Sequence, residues 1–250
     1  MRQRESAICI RTTDYSETSQ VVHFFTRGWG AVRLLAKGTK RPKSKSGGPI
    51  DLLCEGDLVF SASSRETLGT LIEFTESVSH GELRRDSARL NAGLYMIELV
   101  GAMMSEGDPH PEVYDLLHNA LARLAQDDAP VPAVLAYFQW RLLRHVGLLG
   151  DMTACVSCGR RIGGGDRPAR NVYFSGAQGG LLCAACEGAE TDKHRLAPAA
   201  LAGTAALAAV EAGRKVTLPA KQADAVNRLL AYHIAYQVGH PLKMARHAIG

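Results

Sequence analysis

Four of the six cysteines stand in two close pairs, each with the spacing C-x-x-C. Cys155 and Cys158 form the first pair, Cys183 and Cys186 form the second, and 24 residues separate the pairs. A C-x-x-C knuckle places two thiolates on the same side of a tight turn, so two knuckles can supply the four tetrahedral ligands that zinc prefers. Four cysteine ligands leave no coordination position open for water. The spacing therefore predicts one structural zinc ion.

Two other interpretations of these cysteines stay open. Either pair could be a redox-active dithiol, but such motifs lie at a strand-to-helix turn in a βαβ unit, which this segment lacks. The thiols could also be free, with no metal bound. Gly159 after the first knuckle, and Gly179 and Gly180 before the second, favour the tight turns of a metal site. Cys9 and Cys54 stand alone in apolar segments and are interpreted as small buried hydrophobic residues.

A run of cations is the second feature that could do chemistry. No acidic residue occurs between Glu17 and Asp51, whereas seven basic residues do. Lysine and arginine neutralise phosphates and release counterions, which gives affinity for nucleic acid without selecting a base sequence. The alternative is a solvated linker that binds nothing. The predicted nucleic-acid-binding residues are Arg27, Arg33, Lys37, Lys40, Arg41, Lys43 and Lys45.

Two aromatic residues beside this run are candidates for stacking on bases. Phe25 and Trp29 precede the basic segment, and aromatic side chains are the usual stacking platforms of proteins that bind single strands. In so short a barrel, however, an aromatic side chain more often belongs to the core.

The cations must be positioned by short strands. Between residues 6 and 76 the segments AICIR, VVHFFT, AVRLLAKG, DLVFSAS and GTLIEF are rich in branched and aromatic residues and bounded by turn formers. The sequence RGWG at residues 27–30 predicts a hairpin turn. Five short strands predict a small barrel, with the OB-fold and the SH3-like barrel as the two candidates.

Helical spacing of apolar residues replaces this pattern after about residue 80. We predict helices in RLNAGLYMIELVGAMM, HPEVYDLLHNALARLAQ, AVLAYFQWRLLRHVGLL, PAALAGTAALAAVEAG and AKQADAVNRLLAYHIAYQVG. The cysteine segment interrupts this series. The predicted fold class is therefore α+β multidomain: a small barrel at residues 1–80, then an all-α domain at 81–250 with a zinc-ribbon-like four-cysteine insertion at 151–195.

The composition and the motifs that are missing limit the classes of function that the chain can have. With 46% hydrophobic residues and a net charge of +4, the chain can bury a core and is only mildly basic. No apolar run approaches the roughly 20 residues that span a bilayer, and the start lacks a secretion signal, so we expect a cytoplasmic protein. Phosphate-binding and hydrolase motifs are missing, and the histidines are scattered, so the sequence nominates no catalytic residues and predicts no enzyme.

The sequence also resembles the RecO family of bacterial recombination mediators. The resemblance is carried by DYSETSQVVHFFTRGWGAVRLLAKGTKRPKSKSGG, by YFSGAQGGLLCAAC and by the order barrel, helices, cysteine insertion, helices. It implies an N-terminal OB-fold, a helical domain with a zinc-binding insertion and no enzymatic activity. It also implies that Lys37, Lys40, Arg41, Lys43 and Lys45 lie in a DNA-binding surface.

The resemblance further implies partners and a location. Proteins of this family bind single- and double-stranded DNA, anneal complementary strands, and act with RecR to load RecA on DNA coated by single-strand-binding protein. We therefore expect a DNA-repair protein in the cytoplasm, associated with the nucleoid. The competing hypothesis is a zinc-ribbon protein of RNA metabolism or transcription that uses the same barrel for RNA, which a preference for the 2′-OH would reveal.

Overall fold

The structure, a computed structural model, describes residues 2–41, 48–62, 68–162 and 171–249. Its backbone contacts divide the chain into two compact units, Met1–Ala129 and Pro130–Gly250. The first unit contains the predicted barrel together with two helices, and the second contains the other helices and the cysteine segment. Among the helices of these described ranges, none is long and apolar enough to cross a membrane.

The first unit is built on five strands that close into a barrel in the order β1-β2-β3-β5-β4. Each predicted strand segment overlaps one of them. The strands are β1 (Arg2–Ser16), β2 (Ser19–Thr26), β3 (Gly30–Ala36), β4 (Glu55–Ser61) and β5 (Gly69–Val78). This strand order and the closed five-stranded barrel are those of the OB-fold, so the OB-fold prediction is confirmed.

The barrel closes through one long strand and one short seam. β1 pairs with both β2 and β4, and a register shift between Cys9 and Arg11 bends it from one partner towards the other. β3 and β5 run parallel and share only two residue pairs, Leu34 with Gly69 and Leu35 with Thr70. The barrel is therefore weakly paired at this seam.

Alternating side chains of these strands fill the barrel interior. Phe24, Leu58 and Phe60 are almost completely buried, and the rings of Phe24 and Phe74 lie 5.0 Å apart. Burial of each such side chain contributes about 1.5–3 kcal/mol. Cys9 and Cys54 lie in this same core, as predicted for small hydrophobic residues.

Two helices complete the first unit, α1 (Ser87–Met103) and α2 (Pro111–Leu124). The side chain of Asp86 caps α1 by accepting a hydrogen bond from the backbone N–H of Arg89. Both helices contact the barrel, α1 at β1 and α2 at β2. These contacts group α1 and α2 with the barrel. The predicted boundary between a barrel domain and a helical domain, at residues 80 and 81, stays a prediction.

A buried carboxylate links the barrel to α2. Glu55 on β4 accepts hydrogen bonds from the Tyr114 hydroxyl at 2.9 Å and from His118 Nδ1 at 2.8 Å. His80 Nε2 lies 3.6 Å from the other oxygen of Glu55. Burial raises the pKa of Glu55, but the nearby imidazole of His80 and the hydrogen bonds from His118 and Tyr114 outweigh this and lower it.

The turn between β2 and β3 matches the hairpin that RGWG predicts. The hydroxyl of Thr26 accepts from the N–H of Trp29 and donates to the carbonyl of Gly30. Gly30 has φ +74° and lies so close to Asp108 that a Cβ atom would be 2.3 Å from its carbonyl oxygen. Glycine is therefore required here both by backbone angle and by space.

The second unit consists of helices and one small sheet. Its helices, at the predicted positions, are α3 (Val131–His145), α4 (Pro198–Glu211) and α5 (Ala220–Val238), followed by the short α6 (Ala245–Ala248). Its strands are β6 (Tyr173–Ser175), β7 (Gly180–Leu182) and β8 (Lys193–Arg195), in the order β7-β6-β8. A buried hydrogen bond from Gln139 to Asn227 joins α3 to α5.

Candidate metal centre and nucleic-acid interface

The first cysteine pair lies in a short hairpin. The N–H of Cys155 donates to the carbonyl of Arg160, and the N–H of Ile162 donates to that of Thr153. Within the turn, Gly159 has φ +72° and donates to the carbonyl of Cys155. The glycine thus permits the reversal that brings both thiols to one side, as the sequence predicts.

The second pair follows the β6–β7 hairpin. Gly179 has φ +60°, and a Cβ atom there would lie 2.1 Å from the carbonyl oxygen of Leu148. At Gly180 a Cβ atom would lie 2.0 Å from Val156, which follows the first cysteine. The two glycines therefore let the second hairpin approach the first closely enough for the four thiols to meet.

All four sulfur atoms lie within 4.8 Å of one another, and Cys158 Sγ is 3.9 Å from Cys183 Sγ. Tetrahedral coordination with metal–sulfur bonds of about 2.3 Å requires sulfur atoms about 3.8 Å apart. The four cysteines are free thiols and their spacing fits one metal ion. The predicted ligands Cys155, Cys158, Cys183 and Cys186 are brought together.

Hydrogen bonds to sulfur prepare one of these thiols for coordination. Burial raises the pKa of Cys155, but hydrogen bonds from the backbone N–H groups of Cys183, Cys158 and Ser157 outweigh this and lower it to about 6. The pKa of Cys186 is raised to about 12, because its thiol shares hydrogen bonds with Cys158 and Cys183. Four thiolates so close together repel one another, and a divalent cation removes that repulsion.

Side chains of α5 that no sequence motif identifies hold the insertion in place. The buried ring of His233 has Nδ1 3.0 Å from the carbonyl oxygen of Gly176 and Nε2 2.7 Å from that of Leu148. Gln237 donates to the same Gly176 carbonyl at 3.0 Å. The spacing of four residues places His233 and Gln237 on one face of α5. Their partners lie far away in the sequence, so no local pattern signals these contacts.

The cations of the predicted basic surface fall into two groups. Arg27 makes a two-pronged ion pair with Asp115 at 2.9 and 3.0 Å, and Nε of Arg33 lies 2.8 Å from Glu106. Lys40 Nζ lies 2.5 Å from Asp14. Three of the predicted cations are therefore already paired with carboxylates that the local sequence does not contain.

Two predicted cations differ from these. Lys37 and Arg41 are exposed beside the end of β3, and within the described ranges neither has an ion-pair partner. Lys43 and Lys45 lie outside the described residues. The predicted interface thus has its uncompensated charge, so far as the structure describes it, at Lys37 and Arg41.

A row of basic side chains crosses three strands beside this site. Arg11 on β1 pairs with His23 on β2, and His23 pairs with Arg33 on β3. Burial lowers the pKa of His23, and the two flanking guanidinium groups lower it further. Arg11 lies outside the basic run, so only the strand register identifies it as a neighbour of the predicted DNA-binding residues.

The two aromatic candidates have different surroundings. Phe25 is completely buried against Tyr114, with ring centroids 6.4 Å apart, so the stacking interpretation is wrong for it. Trp29 is 37% exposed and contacts the edge of Phe60. Trp29 therefore keeps a surface on which a base could stack.

Net charge differs strongly between the two compact units. Residues 1–129 contain 15 basic and 18 acidic residues, a net charge of −3. Residues 130–250 contain 14 basic and 7 acidic residues, a net charge of +7. The unit with the basic run is thus acidic as a whole.

Comparison with known proteins places both halves of the chain in one family. Residues 1–78 match the family model described as "Recombination protein O N terminal", and residues 84–246 match "Recombination protein O C terminal". The chain belongs to the RecO family. RecO proteins are DNA-repair proteins by name, and the sequence resemblance is confirmed.

Several RecO relatives are similar over long stretches, each named "DNA repair protein RecO". The Salinibacter ruber protein is 37% identical over 145 residues, 58% of this chain and 56% of the relative. The Rhodopirellula baltica protein is 32% identical over 180 residues, 72% of this chain and 65% of the relative. One from an Anaeromyxobacter species is 31% identical over 258 residues, 98% of this chain and 94% of the relative.

Proposed function

We propose that this chain is a recombination mediator that binds DNA and anneals complementary strands during repair. The observation that carries the proposal is that Lys37 and Arg41, at the edge of an OB barrel in a RecO chain, have no ion-pair partner among the residues that the structure describes. Arg27, Arg33, Lys40, Lys43 and Lys45 complete the proposed DNA surface. Its contacts are to phosphates, so it holds strands without reading their bases.

Annealing makes two demands that such a surface meets. Two strands repel each other through their phosphates, and cations between them reduce that repulsion. The strands must also stay free to find their register, which contacts to phosphate allow because these contacts are the same for every sequence. Annealing by this chain is therefore expected to weaken as salt concentration rises.

We further propose that the metal held by the four cysteines is one structural zinc ion. Zinc supplies four strong bonds to thiolates and, with its shell complete, no reactive water. Cys155 and Cys158 would bind from the first hairpin, and Cys183 and Cys186 from the second. These bonds would join two hairpins that already touch where the N–H of Val156 donates to the carbonyl of Leu181 at 2.8 Å.

The proposed work requires partners. We infer that the chain binds single- and double-stranded DNA and acts with RecR to help RecA load on DNA coated by single-strand-binding protein. The setting would be the cytoplasm, at the nucleoid. We keep the division into a DNA-binding domain at 1–80 and a helical domain at 81–250, with the insertion at 151–195, as part of this proposal.

The deciding experiment measures annealing of complementary DNA strands coated with the cognate single-strand-binding protein. We compare the wild-type chain with a variant in which Lys40, Arg41, Lys43 and Lys45 are replaced by alanine. The control variant removes the same number of cations from the same unit, at Arg4, Arg84, Arg85 and Arg123, each of which has an acidic partner.

We expect annealing by the wild type and the control, and loss of most annealing in the loop variant. Equal loss in both variants would show that total charge matters and the loop does not. No annealing by the wild type, together with tighter binding to RNA than to DNA, would contradict the mediator function and support the RNA hypothesis.

A further inference from the structure

A cavity of about 300 Å³ lies in the second unit, between β8, the start of α4 and α5. Its floor is apolar and is formed by Leu196, Ala200, Ala225 and Leu229, all of them buried. Small-molecule sites have volumes of about 300–1,000 Å³, with an apolar lining and a few placed polar groups. The cavity therefore has room for one small planar group.

Two aromatic rings stand at the wall of this cavity. The centroids of His194 and Tyr232 lie 5.6 Å apart. The hydroxyl of Tyr232 donates to Asp192 at 2.5 Å, which fixes the ring from its far end. A platform fixed in advance needs little further ordering when a flat ligand stacks on it.

One cation faces the same cavity. Arg228 is exposed on α5 and lines the cavity, and its side chain makes no ion pair or hydrogen bond with any residue that the structure describes. The nearest acidic residue on its helix, Asp224, lies one turn earlier. This guanidinium is therefore available to an anionic ligand, in the unit whose net charge is +7.

We propose that this cavity binds one unpaired nucleobase of a DNA strand, with Arg228 on the neighbouring phosphate. The inference rests on the proposed DNA-binding function and names a second site for it. The apolar floor and the Tyr232 ring suit the flat face of a base, and the guanidinium suits a phosphate. A duplex keeps its bases stacked inside, so this site selects single strands.

The test separates base binding from phosphate binding. Binding of the metal-loaded full-length chain is measured by fluorescence anisotropy with three DNA probes: an oligothymidine, a strand of equal length with abasic sites, and a duplex. Ala197→Leu places a larger side chain at the exposed edge of the cavity, outside the buried floor. Arg228→Ala removes the cation, and Lys221→Ala removes one from the same helix away from the cavity.

The wild type is expected to bind oligothymidine about tenfold more tightly than the abasic strand. Ala197→Leu is expected to remove this preference and leave duplex affinity unchanged. Arg228→Ala weakens both single strands and reduces the salt slope by about one, because a phosphate contact is lost. Lys221→Ala leaves the base preference as in the wild type.

Three outcomes would overturn the inference. Ala197→Leu could keep the full preference for bases, which places base binding elsewhere. The cavity variants could instead keep their affinity for all three DNA probes and lose only the binding of an acidic peptide, titrated as a fourth probe, which would make the cavity a peptide site. If annealing depends on the barrel loop while the cavity variants behave as wild type, the proposed function stands and the second site alone is wrong.

Discussion

The two compact units of the chain differ in how many of their cations are paired with carboxylates. In the first, α2, the turn before it and strand β1 bring Asp115, Glu106 and Asp14 beside Arg27, Arg33 and Lys40. In the second, basic residues outnumber acidic ones two to one, and Arg228 has no partner in the described chain. A run of cations in a sequence therefore does not by itself make a positive surface, since folding decides which charges are neutralised.

The same contrast applies to what holds each unit together. The first unit closes through a barrel core, with Cys54 as one of its buried residues. The cysteine insertion of the second has strands of three residues and relies on four thiols that converge. Local stability should thus depend on packing in the one case and on metal in the other.

Replacing Cys155 by alanine should produce the largest effect. A zinc site of four cysteines contributes folding free energy directly, so we expect the insertion to lose roughly 5 kcal/mol or more of local stability. Elemental analysis should find about one zinc per chain in the wild type and none in the variant. Hydrogen exchange should show the insertion unprotected and the barrel protected.

Cys54→Ala is the matched control, because it removes a thiol from the barrel core and leaves the metal ligands intact. It should lower the free energy of unfolding by about 1–2 kcal/mol and keep the metal content unchanged. A Cys155→Ala chain that still binds zinc, or whose barrel also unfolds, would contradict the contrast between the units.

A change of intermediate size is expected at Glu55. The hydrogen bonds from His118 and Tyr114 hold its pKa below the usual value, so the carboxylate stabilises the fold above that usual value, near 4.5. This contribution is lost as the pH falls through the lowered pKa of the folded chain. Glu55→Gln should cost about 2 kcal/mol at pH 7 and flatten the acid limb of the stability profile.

Urea unfolding at pH 7 and at successively lower pH measures both quantities. Glu73→Gln is a suitable control, because Glu73 lies exposed on β5. An acid limb that stays as steep in Glu55→Gln as in the wild type would assign the acid sensitivity to other carboxylates.

The smallest effect is expected when two pairs of cations are replaced and their contributions to DNA binding are compared. Replacing Lys37 and Arg41 by alanine should weaken DNA binding about tenfold at low salt and reduce the salt slope by about two. Replacing Arg27 and Arg33 removes the same charge, but their guanidinium groups are already paired, so we expect about a twofold loss. Binding titrations at several salt concentrations distinguish the two. Equal losses would mean that these ion pairs open when DNA binds.

The barrel and the metal site were accessible from the sequence for clear physical reasons. Strands and helices follow local periodicity, and the C-x-x-C pairs with Gly159 and Gly179 encode their own turns. These features depend on residues that lie close together in the chain. For the same reason the hairpin at Gly30 could be predicted from four consecutive residues.

The parts that could not be predicted depend on distant residues. Asp115 lies 88 residues after Arg27, and no local pattern signals their ion pair. The basic side chains of Arg11, His23 and Arg33 come together only when the strand register is fixed. The register also decides that Phe25 is buried in the core and is not available for stacking. The cavity beside Arg228 forms only where β8, α4 and α5 pack against one another.

The short seam between β3 and β5 has a consequence for the movements of the barrel. Two residue pairs are easily separated, so local opening should begin there before the rest of the barrel loosens. Lys37 and Arg41 follow directly on the strand that forms this seam. A DNA strand bound at those cations would hold the end of β3 in place and slow its fraying, so that the barrel would become more rigid when it is occupied.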